Sequence, residues 1–239
     1  RPALCEEALR LGRRLVALAP GEGEVLGLLA LMELQASRFP ARRGADGEPV
    51  LLLDQDRTRW DRLLIRRGLD GLDRALAASG GNPGPYAVQA AIAACHARAV
   101  HADATDWDRI VAWYDRLVVL VPSPVVELNR AVAVSMADGP AAALPLVDAL
   151  VDHPAMARYH LLPSVRGDLL RRLGREDEAR EQFRSAAEMC GNDRERALRL
   201  AADLVRERRR QQPERGEQAG HQHRTEPVAC AVVDRREQV

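Results

Sequence analysis

The chain has 239 residues with 35 Arg and Lys against 35 Asp and Glu, so its formal charge is zero and no overall basic field exists to hold nucleic-acid phosphates. Hydrophobic residues make up 46% but aromatics only 3%, so a core must be assembled from Leu, Ala and Val, which favours closely packed helices. No apolar run approaches the ~20 residues of a membrane span, and Arg1-Pro2-Ala3-Leu4 opens no signal-peptide core, so a cytoplasmic protein without a membrane partner is expected.

In chain order, Leu4, Ala8, Leu11, Leu15 and Leu18 fall at three- and four-residue spacing, which predicts a core-facing helix ended by Pro20 and Gly21. The chain opens on Arg1 rather than Met and is already inside this pattern at Leu4, from which a continuation upstream is expected. A second helix is predicted over 22–37 through Val25, Leu28, Leu29, Leu31, Met32 and Leu34. Residues 40–49 then break the pattern with a polar loop long enough to suggest function. The apolar run 50–53 has no second β-like run to pair with and is read as extended chain or a helix edge. From Thr58 a helical stripe resumes through Trp60, Leu63, Leu64, Leu69, Leu72 and Leu76, until the Gly- and Pro-rich stretch 79–85 stops it. Further helices are predicted at about 85–101, 106–121, 124–137, 140–151, 155–173, 176–190 and 193–209. Nearly all connections are short, so successive helices should pack antiparallel.

A repeat emerges near the end of this series. Gly174 allows a tight turn after Leu170-Arg171-Arg172-Leu173, Ala179 lets two helices approach, and Phe183 fills the gap one turn later. A weaker copy lies one repeat upstream, with Asp138-Gly139-Pro140 as the turn, Ala142 and Ala143 as small residues, and Leu146 and Leu150 as bulk. The offset from Gly139 to Gly174 matches the roughly 34-residue tetratricopeptide period. Gly27 suits a close helix crossing. The expected fold class is therefore all-α: tetratricopeptide-like antiparallel helical hairpins in a right-handed α-solenoid of about nine or ten helices over 1–210, followed by a disordered tail over 211–239.

The densest polar cluster is Asp54-Gln55-Asp56-Arg57, with Asp61 one turn beyond Arg57. Two carboxylates at this spacing could act as acid and base or hold a divalent ion. The competing role is capping: Asp54 or Asp56 as N-cap of the helix opening at Thr58, with Arg57 and Arg59 paired to nearby carboxylates. Trp60 is either an exposed anchor or, at helical spacing from Leu63 and Leu64, part of the core. His96, His101 and His160 have no acidic or Cys partner at i+3 or i+4 and read as satisfied or solvent-facing. Cys5, Cys95, Cys190 and Cys230 lie far apart without zinc-ligand spacing, so free thiols are expected. The basic run Arg206-Glu207-Arg208-Arg209-Arg210 reads as a solvated helix end, and His221 and His223 carry little information. No nucleophile-elbow, P-loop or dinucleotide glycine pattern occurs, so no catalytic residue, metal ligand or cofactor is assigned and a non-enzymatic protein is expected.

The segment Asp54-Gln55-Asp56-Arg57-Thr58-Arg59-Trp60-Asp61 does not stand alone. It occurs with Leu4-Cys5-Glu6-Glu7-Ala8-Leu9-Arg10-Leu11, Glu24-Val25-Leu26-Gly27-Leu28-Leu29, Gly84-Pro85-Tyr86, Gln89-Ala90-Ala91-Ile92 and Pro122-Ser123-Pro124-Val125-Val126-Glu127-Leu128-Asn129-Arg130. In these motifs, from about Leu4 to about Leu204, the chain resembles the C-terminal extension of a group of bacterial extracytoplasmic-function sigma factors. The resemblance implies a tetratricopeptide-like extension that modulates sigma activity, behind two sigma domains that bind promoter DNA and core RNA polymerase. Neither sigma domain lies within these 239 residues, so promoter recognition is not assigned to any of them and no direct DNA binding is expected. The implied protein-binding or regulatory residues are Asp54, Gln55, Asp56, Arg57, Arg59, Trp60 and Asp61, with Asn129 and Arg130, facing RNA polymerase or the sigma domains. The alternative is a free-standing tetratricopeptide-like scaffold that binds an unrelated protein on its concave surface.

Overall fold

The computed structural model describes residues 2–44 and 47–189. The predicted helix 193–209, the tail 211–239, Cys190, Cys230, the 206–210 basic run, His221 and His223 lie outside the described residues. Among those described, nine α-helices follow in order: α1 (Pro2–Leu18), α2 (Gly23–Ala36), α3 (Arg62–Ala78), α4 (Pro85–Arg98), α5 (Trp107–Leu120), α6 (Pro124–Ala137), α7 (Pro140–Asp148), α8 (Leu161–Arg172) and α9 (Glu176–Met189). The only β pairing in this part of the chain is an isolated bridge between Arg43 and Pro49. The fold is all-α and repeat-like, as expected.

The helix boundaries follow from local chemistry. Pro85, Pro124 and Pro140 each stand at the start of a helix, where the missing N–H would have no helical partner anyway. Gly139 and Gly174 take φ of 93° and 79°, the left-handed turns that reverse the chain between α6 and α7 and between α8 and α9. Both repeat turns thus lie where the sequence places them. Helix α1 packs on α2, α2 packs on both α3 and α4, and from α4 to α9 each helix packs on the next. One continuous core runs from α2 to α9, with Leu34, Leu72, Val88, Ile110, Leu128, Val147 and Leu169 all buried, and α1 packs on α2 in a smaller cluster around Leu9 and Leu29. Phe183 of α9 lies against Gly167 of α8, where a Cβ would come within 2.8 Å of its ring.

Four expectations need correction. The helix predicted from Thr58 begins only at Arg62, because the Asp61 carboxylate accepts from the Leu63 and Leu64 amides and so fixes the N-cap there. The helix predicted over 155–173 is a 3-10 turn, Pro154–Met156, followed by α8, and the one predicted over 140–151 closes at Asp148. The α1 stripe predicted to face the core is turned outward. Leu4, Leu11, Leu15 and Leu18 are 53%, 52%, 41% and 85% exposed, while Leu9, Gly12 and Val16 face α2. Among the described residues α1 packs chiefly on α2, and its second apolar face stands exposed at Leu4, Leu11, Leu15 and Leu18.

The crossing of α2 and α4 is closest at Gly27, where a Cβ would lie 2.6 Å from the Ala87 nitrogen and 2.8 Å from its Cα. Backbone cannot yield as a flexible side chain would, so Gly27→Ala must push the helices apart. Denaturant unfolding is expected to show a loss of about 2–3 kcal/mol for Gly27→Ala, against about 0.5 kcal/mol or less for Gly21→Ala, whose Cβ would meet nothing within 4 Å.

Candidate functional site

The polar segment connects α2 to α3 through a series of tight turns rather than a free loop. Ser37 closes α2 by donating its hydroxyl to the Leu34 carbonyl at 2.7 Å. Three 3-10 turns follow, Phe39–Ala41, Leu52–Asp54 and Arg57–Arg59, before Asp61 caps α3. The Asp61 amide also donates to the Ser37 carbonyl at 2.8 Å, so the segment closes on its own beginning. Gln55 is buried and its side-chain amide donates to the Val50 carbonyl at 3.1 Å.

Arg57 turns inward. It is only 5% exposed, and its guanidinium stands 5.0 Å from the centre of the buried Trp60 ring. One terminal nitrogen donates to the His96 carbonyl at 2.8 Å and the Ala99 carbonyl at 2.9 Å, and the other to the Thr105 hydroxyl at 3.2 Å. Those carbonyls belong to the last turn of α4 and its cap, the negative end of the helix dipole, where a cation is favoured. Burial pushes the Arg57 pKa down from its ordinary value, with Asp103 opposing that shift.

The opposite end of α4 receives an anion. Glu24, on the first turn of α2, accepts from the Tyr86 amide at 3.0 Å and the Ala87 amide at 3.1 Å. These are orphan donors at the α4 N-terminus, the positive end of the dipole. Gly84 makes room for this contact, since a Cβ there would lie 2.4 Å from the Glu24 carboxyl carbon. In the sequence this role of Glu24 leaves one signal, the joint presence of the Glu24 and Gly84-Pro85-Tyr86 motifs.

The remaining residues of the segment face outward. Asp54, Asp56, Arg59 and Asp61 are exposed. The Asp56 carboxylate accepts from the Thr58 hydroxyl at 2.6 Å and its amide at 2.9 Å, and these bonds, the hydroxyl first, hold its pKa below the ordinary value. Capping by Asp56 is therefore as expected, although of a 3-10 turn rather than of α3. Asp56 and Asp61 cap two different turns and do not share a helix face. Arg57 and Arg59 were expected to pair with carboxylates, but Arg57 serves carbonyls and a hydroxyl, and Arg59 donates to the Arg43 carbonyl at 3.3 Å. Asn129 and Arg130 belong to another part of the stack: Asn129 is buried in α6, and Arg130 donates to Asp115 of α5 at 2.5 Å. Trp60 is core, 3% exposed.

His96 departs from its expected role. It is fully buried, edge-on to Trp107 with ring centres 5.3 Å apart, and neither ring nitrogen has a hydrogen-bond partner. Burial first, then the charges of Arg38 and Arg57, push its pKa down to about 3, so it stays neutral in the folded chain. Among the described residues no group of His, Cys, Asp or Glu has the arrangement to hold a metal ion.

Arg57→Met leaves two helix-end carbonyls without their donor and is expected to cost about 3 kcal/mol in denaturant unfolding. Arg57→Lys should also destabilise, by about 1–2 kcal/mol, because one ammonium cannot replace a fork that spans three acceptors. For His96 the folded pKa lies below the ordinary 6.5, so the unfolded chain takes up the proton first as the pH falls. Its contribution is full above pH 6.5 and is lost below it at up to about 1.4 kcal/mol per pH unit until near pH 3. Unfolding curves collected from pH 7 to pH 4 should show this slope in the wild type and a flatter one in His96→Leu.

Residues 1–76, from α1 through the polar segment into α3, match a family of unknown function, DUF6596. The chain is also similar to Uncharacterized protein R00370 of Rhizobium meliloti (strain 1021), at 48% identity over 201 residues that cover 84% of this chain and 47% of that protein. It thus spans about half the length of the curated relative it matches.

Proposed function

We propose that this chain is a regulatory, protein-interaction domain of an extracytoplasmic-function RNA polymerase sigma factor, working in the cytoplasm and modulating transcription initiation through contacts with the sigma domains or with RNA polymerase. The resemblance of its ordered motifs supports this reading. So does its span of about half of a longer relative, since a control module accompanies other segments in one chain. No helix among the described residues is long and apolar enough to cross a membrane.

The observation that carries the proposal is the division of labour within residues 54–61. Gln55, Arg57 and Trp60 fix the segment from within, and Asp54, Asp56 and Arg59 stand outward on turns whose backbone is held. A polar edge that is already ordered docks with less entropy loss than a free loop would. In this reading the carboxylates recognise a protein surface and perform no chemistry.

Asp54→Ala combined with Arg59→Ala leaves the Asp56 cap and the Arg57 latch in place. The pair is expected to weaken association with purified sigma domains and core polymerase about tenfold, equivalent to about 1.4 kcal/mol, with only a small fall in melting temperature, since both side chains are exposed. Undiminished association by the folded variant would sink the assignment of this edge. Association of the wild type with neither component would shift the reading to a scaffold for another protein.

A further inference from the structure

The uncovered face of α1 has a spacing that a single amphipathic helix does not need. Leu4, Ala8, Leu11, Leu15 and Leu18 recur at intervals of 4, 3, 4 and 3 residues, which is a strict heptad seam over two heptads. The face that α1 gives to α2 is a different one, built on Leu9, Gly12 and Val16; among the described residues Leu4, Leu11, Leu15 and Leu18 of the seam are exposed, and Ala8 is half-buried at the edge between the two faces.

The seam is complementary to itself when reversed. If two copies of α1 lie antiparallel about a two-fold axis near Leu11, Leu4 of one meets Leu18 of the other, Ala8 meets Leu15, and the two Leu11 side chains meet at the axis. Small therefore faces large at the inner level. The charges agree as well. Glu7 and Arg14 flank the seam on the same side, and a two-fold antiparallel pair keeps that side in common, bringing Glu7 of one helix level with Arg14 of the other to within about 1.5 Å of axial rise. Arg14 is exposed and makes no ion pair among the described residues. Glu7 is engaged only with Arg10 in an exposed i,i+3 pair, which holds it weakly.

We infer that α1 is a self-association helix: the occupant of its leucine seam is α1 of a second copy of this chain, packed antiparallel with two Glu7–Arg14 pairs along one edge.

Sedimentation velocity over a concentration series from micromolar upward tests it. The wild type should rise from 26.3 kDa toward twice that mass. Leu11→Glu with Leu15→Glu, both on the exposed face, should stay at the monomer mass with unchanged helical circular dichroism. Glu7→Arg should weaken the dimer about three- to tenfold, and adding Arg14→Glu to it should restore the affinity. A wild type that remains monomeric at every concentration would overturn the inference and leave the seam to a helix of a different protein. A dimer whose mass survives the double leucine substitution would overturn it too, since another face would then be joining the copies.

Discussion

A helix of small residues needs more than its side chains to hold its place, and α4 shows how this chain meets that need. Its core-facing positions include Ala87, Ala90, Ala91 and Ala94, which bury little apolar area each. Both of its ends are gripped by side chains of the sign its dipole favours. The Glu24 carboxylate from α2 takes the first amides, and the Arg57 guanidinium from the 54–61 segment takes the last carbonyls. The alanines let α2 come close enough for the first grip, which is why Gly27 and Gly84 have no room for a Cβ. The polar segment is folded as it is because Arg57 must reach the far end of α4 from a turn that Trp60 packs against.

The same device returns elsewhere in the stack. Arg172 of α8 is largely buried and donates to the Ser135 carbonyl at 2.9 Å, in the last turn of α6, so a second helix end is closed by an arginine from a neighbouring helix. Arg13 of α1 reaches Glu33 of α2 at 2.9 Å, joining the first two helices across a carboxylate that is 4% exposed. In a chain whose strong bases are all arginine, the forks of Arg57 and Arg172 each bond more than one acceptor at once, and that of Arg13 places two donors on one Glu33 oxygen. The outward surface is left over from this arrangement: whatever Arg57 and Trp60 do not draw inward is held rigidly at the surface.

Much of the helix order was legible from apolar spacing and punctuation. The boundaries of α2, α5 and α6, and the turns at Gly139 and Gly174, lie within a residue or two of where periodicity, proline and glycine put them. What periodicity could not give was direction. In α1 the five-residue stripe at Leu4 to Leu18 is real, but a stripe says that a face is apolar and not which neighbour exists to cover it. The start of α3 was missed because Trp60 fits the helical spacing, while the cap that decides the matter is a carboxylate with two acceptor bonds at Asp61. Glu24, Arg57 and His96 act through partners 39 to 63 residues away, or through burial alone, and no local pattern encodes either. The most distinctive motifs of the sequence thus hold scaffolding contacts, and the site proposed for recognition is what those contacts leave exposed.

Helix α4, clamped at both ends, is the fixed point of the stack, and native-state hydrogen exchange read amide by amide tests this. The interior amides of α4 are expected to exchange last among the described helices, through global unfolding, and those of α9 to open earlier. Amides of α4 that exchange by local opening, ahead of those in α7 to α9, would contradict it.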